Sequence, residues 1–139
     1  MINDKMFRAM CIYPDVWVYG YYLKDNSVEY NPHRIVDSNG NRFLIDVNSL
    51  GMNTGKLDSQ GNMIYGSVEF NGVMNRGGDI VTLKDLIDDS FRKQEFVVEY
   101  SNTRFRFILD NGVNKKGYPL SMPDTSVTIT GNQFTKDSE

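Results

Sequence analysis

No disulfide can form within this chain, because Cys11 is its only cysteine. That excludes the small secreted scaffold held by several bridges. Histidine is equally scarce, with His33 standing alone. A His-rich zinc site and a Cys/His structural zinc site both lack ligands. Any Ser-His-Asp arrangement would depend wholly on His33, which follows Pro32 in an expected loop. Long apolar runs are missing too. The longest near-apolar run, Val16 to Leu23, contains Gly20 and is far too short to span a bilayer. Met1 to Pro14 carries Lys5 and Arg8 but no apolar core, so no signal peptide is expected. No asparagine opens a glycosylation sequon. We expect a cytoplasmic protein with no membrane partner. A surplus of positive charge is also absent: 15 Lys and Arg face 18 Asp and Glu, a formal charge of −3. That argues against a uniformly basic nucleic-acid binder and leaves room for a local basic stripe.

What remains is a chain of 139 residues, the size of one domain. Its apolar fraction of 40% and charged fraction of 24% argue against wholesale disorder. We expect residues 1–139 to form a single domain, divisible into an N-terminal strand part, 1–50, and a barrel-like part, 51–134. A polar tail covers 135–139, and Gly131 to Glu139 should fray.

Short strands separated by turns dominate. Trp17 to Leu23 is rich in aromatic and β-branched residues, and alternation puts Trp17, Tyr19, Tyr21 and Leu23 on one face. Asp37-Ser38-Asn39-Gly40-Asn41 signals a hairpin turn, followed by an alternating strand, Arg42 to Val47. A related turn, Asp58-Ser59-Gln60-Gly61-Asn62, recurs 21 residues later, as two strand-turn-strand units would produce. Two copies do not make a repeat architecture. Gly66 to Gly78 reads as an irregular hairpin or mobile excursion, with Arg76-Gly77-Gly78 its most flexible part.

Thr82 to Lys93 carries the helix signal. Thr82 suits a cap, Asp85 follows three residues on, and Leu83, Leu86, Ile87 and Phe91 fall on one stripe. Phe96 to Tyr100 and Thr103 to Leu109 read as a hairpin, and Val127 to Thr130 as a last short strand. The expected fold is mainly β and small, of short antiparallel strands, barrel-like, with one helix near residues 82–93.

Several motifs occur in a fixed order. Met6-Phe7-Arg8 is followed by Trp17-Val18-Tyr19-Gly20, then by Thr54-Gly55-Lys56-Leu57-Asp58 running to Tyr65. Gly78-Asp79-Ile80-Val81 comes next, and Ile129-Thr130-Gly131-Asn132 closes the series. This order resembles the YopX family of phage and prophage proteins over about residues 6–132. The resemblance implies a mostly β architecture with a small Src-homology-like barrel, and a phage or prophage origin in a bacterial host. It implies no activity. This chain departs from the family pattern at Lys56-Leu57, which stand in reversed order, and at Gly66 to Gly77, which intervene before Gly78-Asp79.

The candidate chemistries are thin. Gly51-Met52-Asn53-Thr54-Gly55-Lys56 is one residue short of a phosphate loop and is followed by Leu57, so a connecting loop is the better reading. Cys11 and His33 offer a nucleophile and a base that nothing in the sequence brings together. Asp85, Asp88 and Asp89 are expected on a solvated helix face rather than around a cation. We therefore expect no enzyme and no cofactor. Trp17, Tyr19 and Tyr21 are candidates to line a protein-binding groove. Arg104 and Arg106, with Lys115 and Lys116 nearby, are candidates for a nucleic-acid contact, the less favoured reading. The expected partner is an unknown host or phage protein, and an exposed strand edge leaves self-association open.

Overall fold

The computed structural model describes residues 6–28, 30–85, 95–101, 106–110, 118–119 and 125–137. In chain order the strands are β1 (Phe7–Met10), β2 (Trp17–Lys24), β3 (His33–Val36) and β4 (Arg42–Leu44). A 3-10 turn at Val47–Ser49 leads to β5 (Gly51–Leu57), β6 (Met63–Ser67), β7 (Glu69–Phe70), β8 (Val73–Met74) and β9 (Asp79–Asp85). Then come β10 (Glu95–Ser101), β11 (Arg106–Asp110), β12 (Tyr118–Pro119) and β13 (Thr125–Asn132), and a closing helix, α1 (Gln133–Asp137). The mainly β reading holds.

Eleven of the strands form one mixed sheet, ordered β12-β11-β10-β6-β5-β1-β2-β3-β4, with β9 beside β10 and β13 beside β9. The small β7–β8 hairpin stands apart. Strand β10 makes the fork. It pairs β11 from Val97 to Ser101, and Val97 also pairs Ile80 of β9 while Glu99 pairs Ser67 of β6. At the other end the sheet bends back on itself. Cys11 bridges Ile45, the Ile12 amide donates to the Leu44 carbonyl at 3.0 Å, and the Asp46 amide donates to the Met10 carbonyl at 3.1 Å.

Two apolar clusters hold these layers. One gathers Ala9, Cys11, Val18, Ile35, Ile45, Leu50 and Val68. The other gathers Ile64, Val81, Leu83, Phe96 and Val98. Each fully buried side chain of this size contributes about 1.5–3 kcal/mol.

The helix expected at 82–93 is overturned where it is described. Residues up to Asp85 continue β9, and Leu83 pairs Val127 while Val81 pairs both Ile129 and Phe96. Residues 86–94 lie outside the described set. The β-branched run Ile80-Val81-Thr82 enters the sheet, and burial of Leu83 between strands outweighs a local cap signal. Gly77 and Gly78 are buried rather than flexible. A Cβ on Gly77 would stand 2.0 Å from the Leu50 carbonyl oxygen, and one on Gly78 would stand 2.2 Å from that of Val98. These glycines permit contact between backbones. Gly78 sits in the fork, its amide donating to Ser67 Oγ at 2.8 Å.

Gly51 to Lys56, read as a connecting loop, is strand β5, paired with β6 and bulged between Asn53 and Leu57. The strand expected to reach Val47 ends at Leu44, because Asp46 caps the 3-10 turn by accepting the Asn48 amide. The tail does not fray up to Asp137. Asn132 Oδ1 accepts the Phe134 and Thr135 amides and so starts α1.

The 21-residue echo is one turn built twice. Gly40 and Gly61 both have φ of +83°. Asp37 Oδ1 accepts the amides of Asn39 and Asn41, and Asp58 Oδ1 accepts those of Gln60 and Asn62. Among the described residues only Asp58 of the two has a tertiary partner: its second oxygen accepts the Ile129 amide of β13 at 3.1 Å. Desolvation pushes the Asp58 carboxyl up, but the amides of Asn62, Ile129 and Gln60 outweigh it and hold it below its ordinary value. Its contribution is therefore complete above about pH 4 and is lost as pH falls through the folded value. Asp58→Ala is expected to cost about 1–3 kcal/mol in urea unfolding, since it strands a partly buried β13 amide. Asp37→Ala should cost clearly less, and equal losses would show that the β13 bond contributes nothing.

Candidate functional site

Strand β1 places Arg8 opposite Tyr19 of β2 and Gly51 of β5, so the three share a face of the sheet. Tyr65 of β6 reaches the same face by pairing Asn53, two residues along β5. Gly51 has no side chain, and a Cβ there would lie 3.1 Å from Tyr65 Cβ and 3.5 Å from Arg8 Nε. Arg8 crosses this gap. Its guanidinium carbon lies 5.1 Å from the Trp17 ring centre and 4.6 Å from that of Tyr65. Both distances are in cation–π range. Nη2 donates to Asp79 Oδ1 at 2.6 Å and to the Gly77 carbonyl at 3.2 Å.

Asp79 is 2% exposed. Its second oxygen accepts the Tyr65 amide at 2.8 Å. Asn132 of β13 donates to the carbonyls of Gly77 and Gly78, and it also bonds the Asp79 carboxyl. Desolvation is the largest influence on that carboxyl and raises it above the ordinary carboxylate value. Arg8, the Tyr65 amide and Asn132 pull the other way. All five of the ordered motifs thus meet here, through Arg8, Trp17, Tyr65, Asp79 and Asn132. A depression of about 480 Å³ opens beside them, lined in part by Tyr19, Asn62, Met63 and Ile129.

The candidate binding residues lie next to this pair. Trp17, Tyr19 and Tyr21 alternate on the outward face of β2, while Val18 turns into the core. Tyr19 and Tyr21 are 40% and 38% exposed. Trp17 is half-buried because Phe134 of α1 meets its ring edge-on at 6.4 Å. Tyr19 leans on Tyr65, ring centres 6.2 Å apart.

Cys11 and His33 are not brought together. Cys11 is buried and its thiol donates to the Tyr13 carbonyl at 3.3 Å. His33 Nδ1 bonds the Tyr22 hydroxyl at 2.6 Å, and its ring stacks on Tyr22 and meets Phe70 edge-on. The two side chains thus have separate partners. Arg106 lies on β11 opposite Ser101. Arg104, Lys115 and Lys116 lie outside the described residues, as do Asp88 and Asp89. Among the described residues no three His, Cys, Asp or Glu gather as a metal site would need. None of the described helices is long and apolar enough to cross a membrane. The pair the sequence reading missed is Arg8 with Asp79, 71 residues apart. The only trace was that both sit inside quoted motifs.

No family model, curated protein or solved structure matches this chain.

Chemically, the arrangement fixes a guanidinium and uses up its charge internally. Both Asp79 oxygens are occupied by Arg8 and the Tyr65 amide. It ties β1, β6 and β9 together through one carboxylate. Arg8→Met should therefore destabilise the fold by about 3–5 kcal/mol, because it leaves a buried carboxylate unpaired. The pH response carries the sign. A carboxyl raised above its unfolded value holds a proton that the unfolded chain releases, so stability grows as pH falls toward that unfolded value. The variant should recover part of its loss between pH 7 and pH 5 in urea titrations. A loss that is flat across this range would contradict a buried, unpaired Asp79.

Proposed function

We propose that this protein is a non-catalytic interaction or regulatory module that binds a partner protein through the outward face of β2. The observation that carries the reading is the outward row Trp17, Tyr19 and Tyr21, in which Trp17 packs on Arg8, Tyr19 leans on Tyr65, and Tyr19 and Tyr21 stay exposed. Aromatic side chains fixed in place give large contact area at low entropic cost, which is why they anchor interfaces. A partner from the bacterial host or from a phage follows from the resemblance to YopX-type proteins. The convergence of that family's separated motifs on Asp79 supports the resemblance, as does the mainly β fold.

The barrel-like detail belongs to the same proposal. The closure it draws on is the return of Leu44, Ile45 and Asp46 to Met10, Cys11 and Ile12, which lies within residues 1–50 and not in the 51–134 part expected to be barrel-like.

A partner captured from host lysate and then purified tests the reading. Tyr21→Ser is the informative variant, since Trp17 also roofs Arg8. It should weaken the purified complex at least about tenfold, or roughly 1.4 kcal/mol. Its unfolding free energy should stay within about 0.5 kcal/mol of the parent. Unchanged affinity in both Tyr21→Ser and Tyr19→Ser would remove β2 from the interface.

A further inference from the structure

A second depression, of about 400 Å³, lies between the β1–β2 connection and α1. Met10, Cys11, Ile12 and Phe134 give it an apolar lining, and Asp15 and Asp46 stand in the same wall. Asp46 holds the Asn48 amide with one oxygen as the cap of the 3-10 turn. Among the described residues neither Asp15 nor Asp46 forms an ion pair. Phe134 joins the depression to the binding face, since its ring meets Trp17. Tyr13 and Val16, next in sequence to the lining residues Ile12 and Asp15, are 87% and 47% exposed.

An apolar lining with two uncompensated carboxylates suits a long side chain that is aliphatic along its stem and cationic at its tip. Arginine fits better than lysine, because its planar fork can serve two carboxylates or one carboxylate twice. We infer that this depression takes an arginine side chain from a segment of the partner protein, flanked by apolar residues that lie over Tyr13 and Val16. The inference rests on the β2-face reading for its partner class and adds that the partner's contact segment is basic. The formal charge of −3 favours the approach of such a segment.

The test uses the full chain, isotopically labelled, and two capped tripeptides. One is Leu-Arg-Leu; the other replaces arginine with citrulline, which keeps shape and loses charge. Saturable NMR shifts at Cys11, Asp46 and Phe134 are expected with the arginine peptide, at a dissociation constant on the order of 1 mM. The citrulline peptide should bind at least about tenfold more weakly. Asp46→Asn should lose the arginine preference while keeping the cap, because asparagine caps as well as aspartate. Asp15→Asn, at an exposed position, should do the same without disturbing the fold. Tyr21→Ser should leave tripeptide binding intact, which separates this pocket from the β2 face. Equal binding of the two peptides, no saturable shift with either, or undiminished preference in the Asp15→Asn/Asp46→Asn double variant would overturn the inference. So would shifts in the free protein that track its own concentration and vanish on dilution, which would assign the surface to a second copy of the chain.

Discussion

A guanidinium threaded between two aromatic rings to reach a buried carboxylate is the contact on which the rest of this molecule depends. Arg8 links β1 to the start of β9, and Trp17 and Tyr65 close over it from β2 and β6. Asp79 in turn fixes the Tyr65 amide and, through Asn132, the end of β13. Five strands from both ends of the chain are thereby tied to one charge pair. Such a pair costs desolvation and is weak evidence of net stability, but removing one partner is expensive. Its value lies in geometry: alternative registers of β1 would leave Arg8 or Asp79 buried alone.

This geometry accounts for the glycines around it. Gly51 leaves the gap through which Arg8 passes, Gly77 lets its carbonyl approach Arg8 under Leu50, and Gly78 fits the fork where β6, β9 and β10 meet. The β7–β8 excursion is anchored rather than free. Asn75 is buried with its oxygen accepting the Val68 amide at 2.9 Å, and its nitrogen donating to the Val47 and Leu50 carbonyls at 2.9 and 2.7 Å. The excursion thus leaves Gly77 and Gly78 where Asp79 requires them. Beside this framework, Trp17 packs on Arg8 and Tyr19 leans on Tyr65.

Features set by neighbouring residues were legible in the sequence. The turns at Asp37 and Asp58 were readable because an aspartate, a glycine at positive φ and a following asparagine close a turn locally. The alternation of Trp17, Tyr19 and Tyr21 was readable because strand period is local. What failed depended on distant residues. Thr82, Leu83 and Asp85 satisfy helix signals in isolation, yet Val127 and Phe96 supply a sheet for them to join. Gly77 and Gly78 look flexible until Leu50 and Val98 are placed against them. Arg8 and Asp79 carry no periodic or spacing signal that could join them across most of the chain, and the capping Asn132 falls in the Gly131 to Glu139 segment expected to fray.

The most direct test of this account is a double-mutant cycle on the charge pair, with Arg8→Ala, Asp79→Ala and the double variant compared by urea unfolding at pH 7. The account predicts that the double variant loses less than the sum of the singles, with a coupling of about 1–3 kcal/mol. Single losses that add to within about 0.5 kcal/mol would show that the two residues act independently, and would contradict the clamp at the centre of the structure.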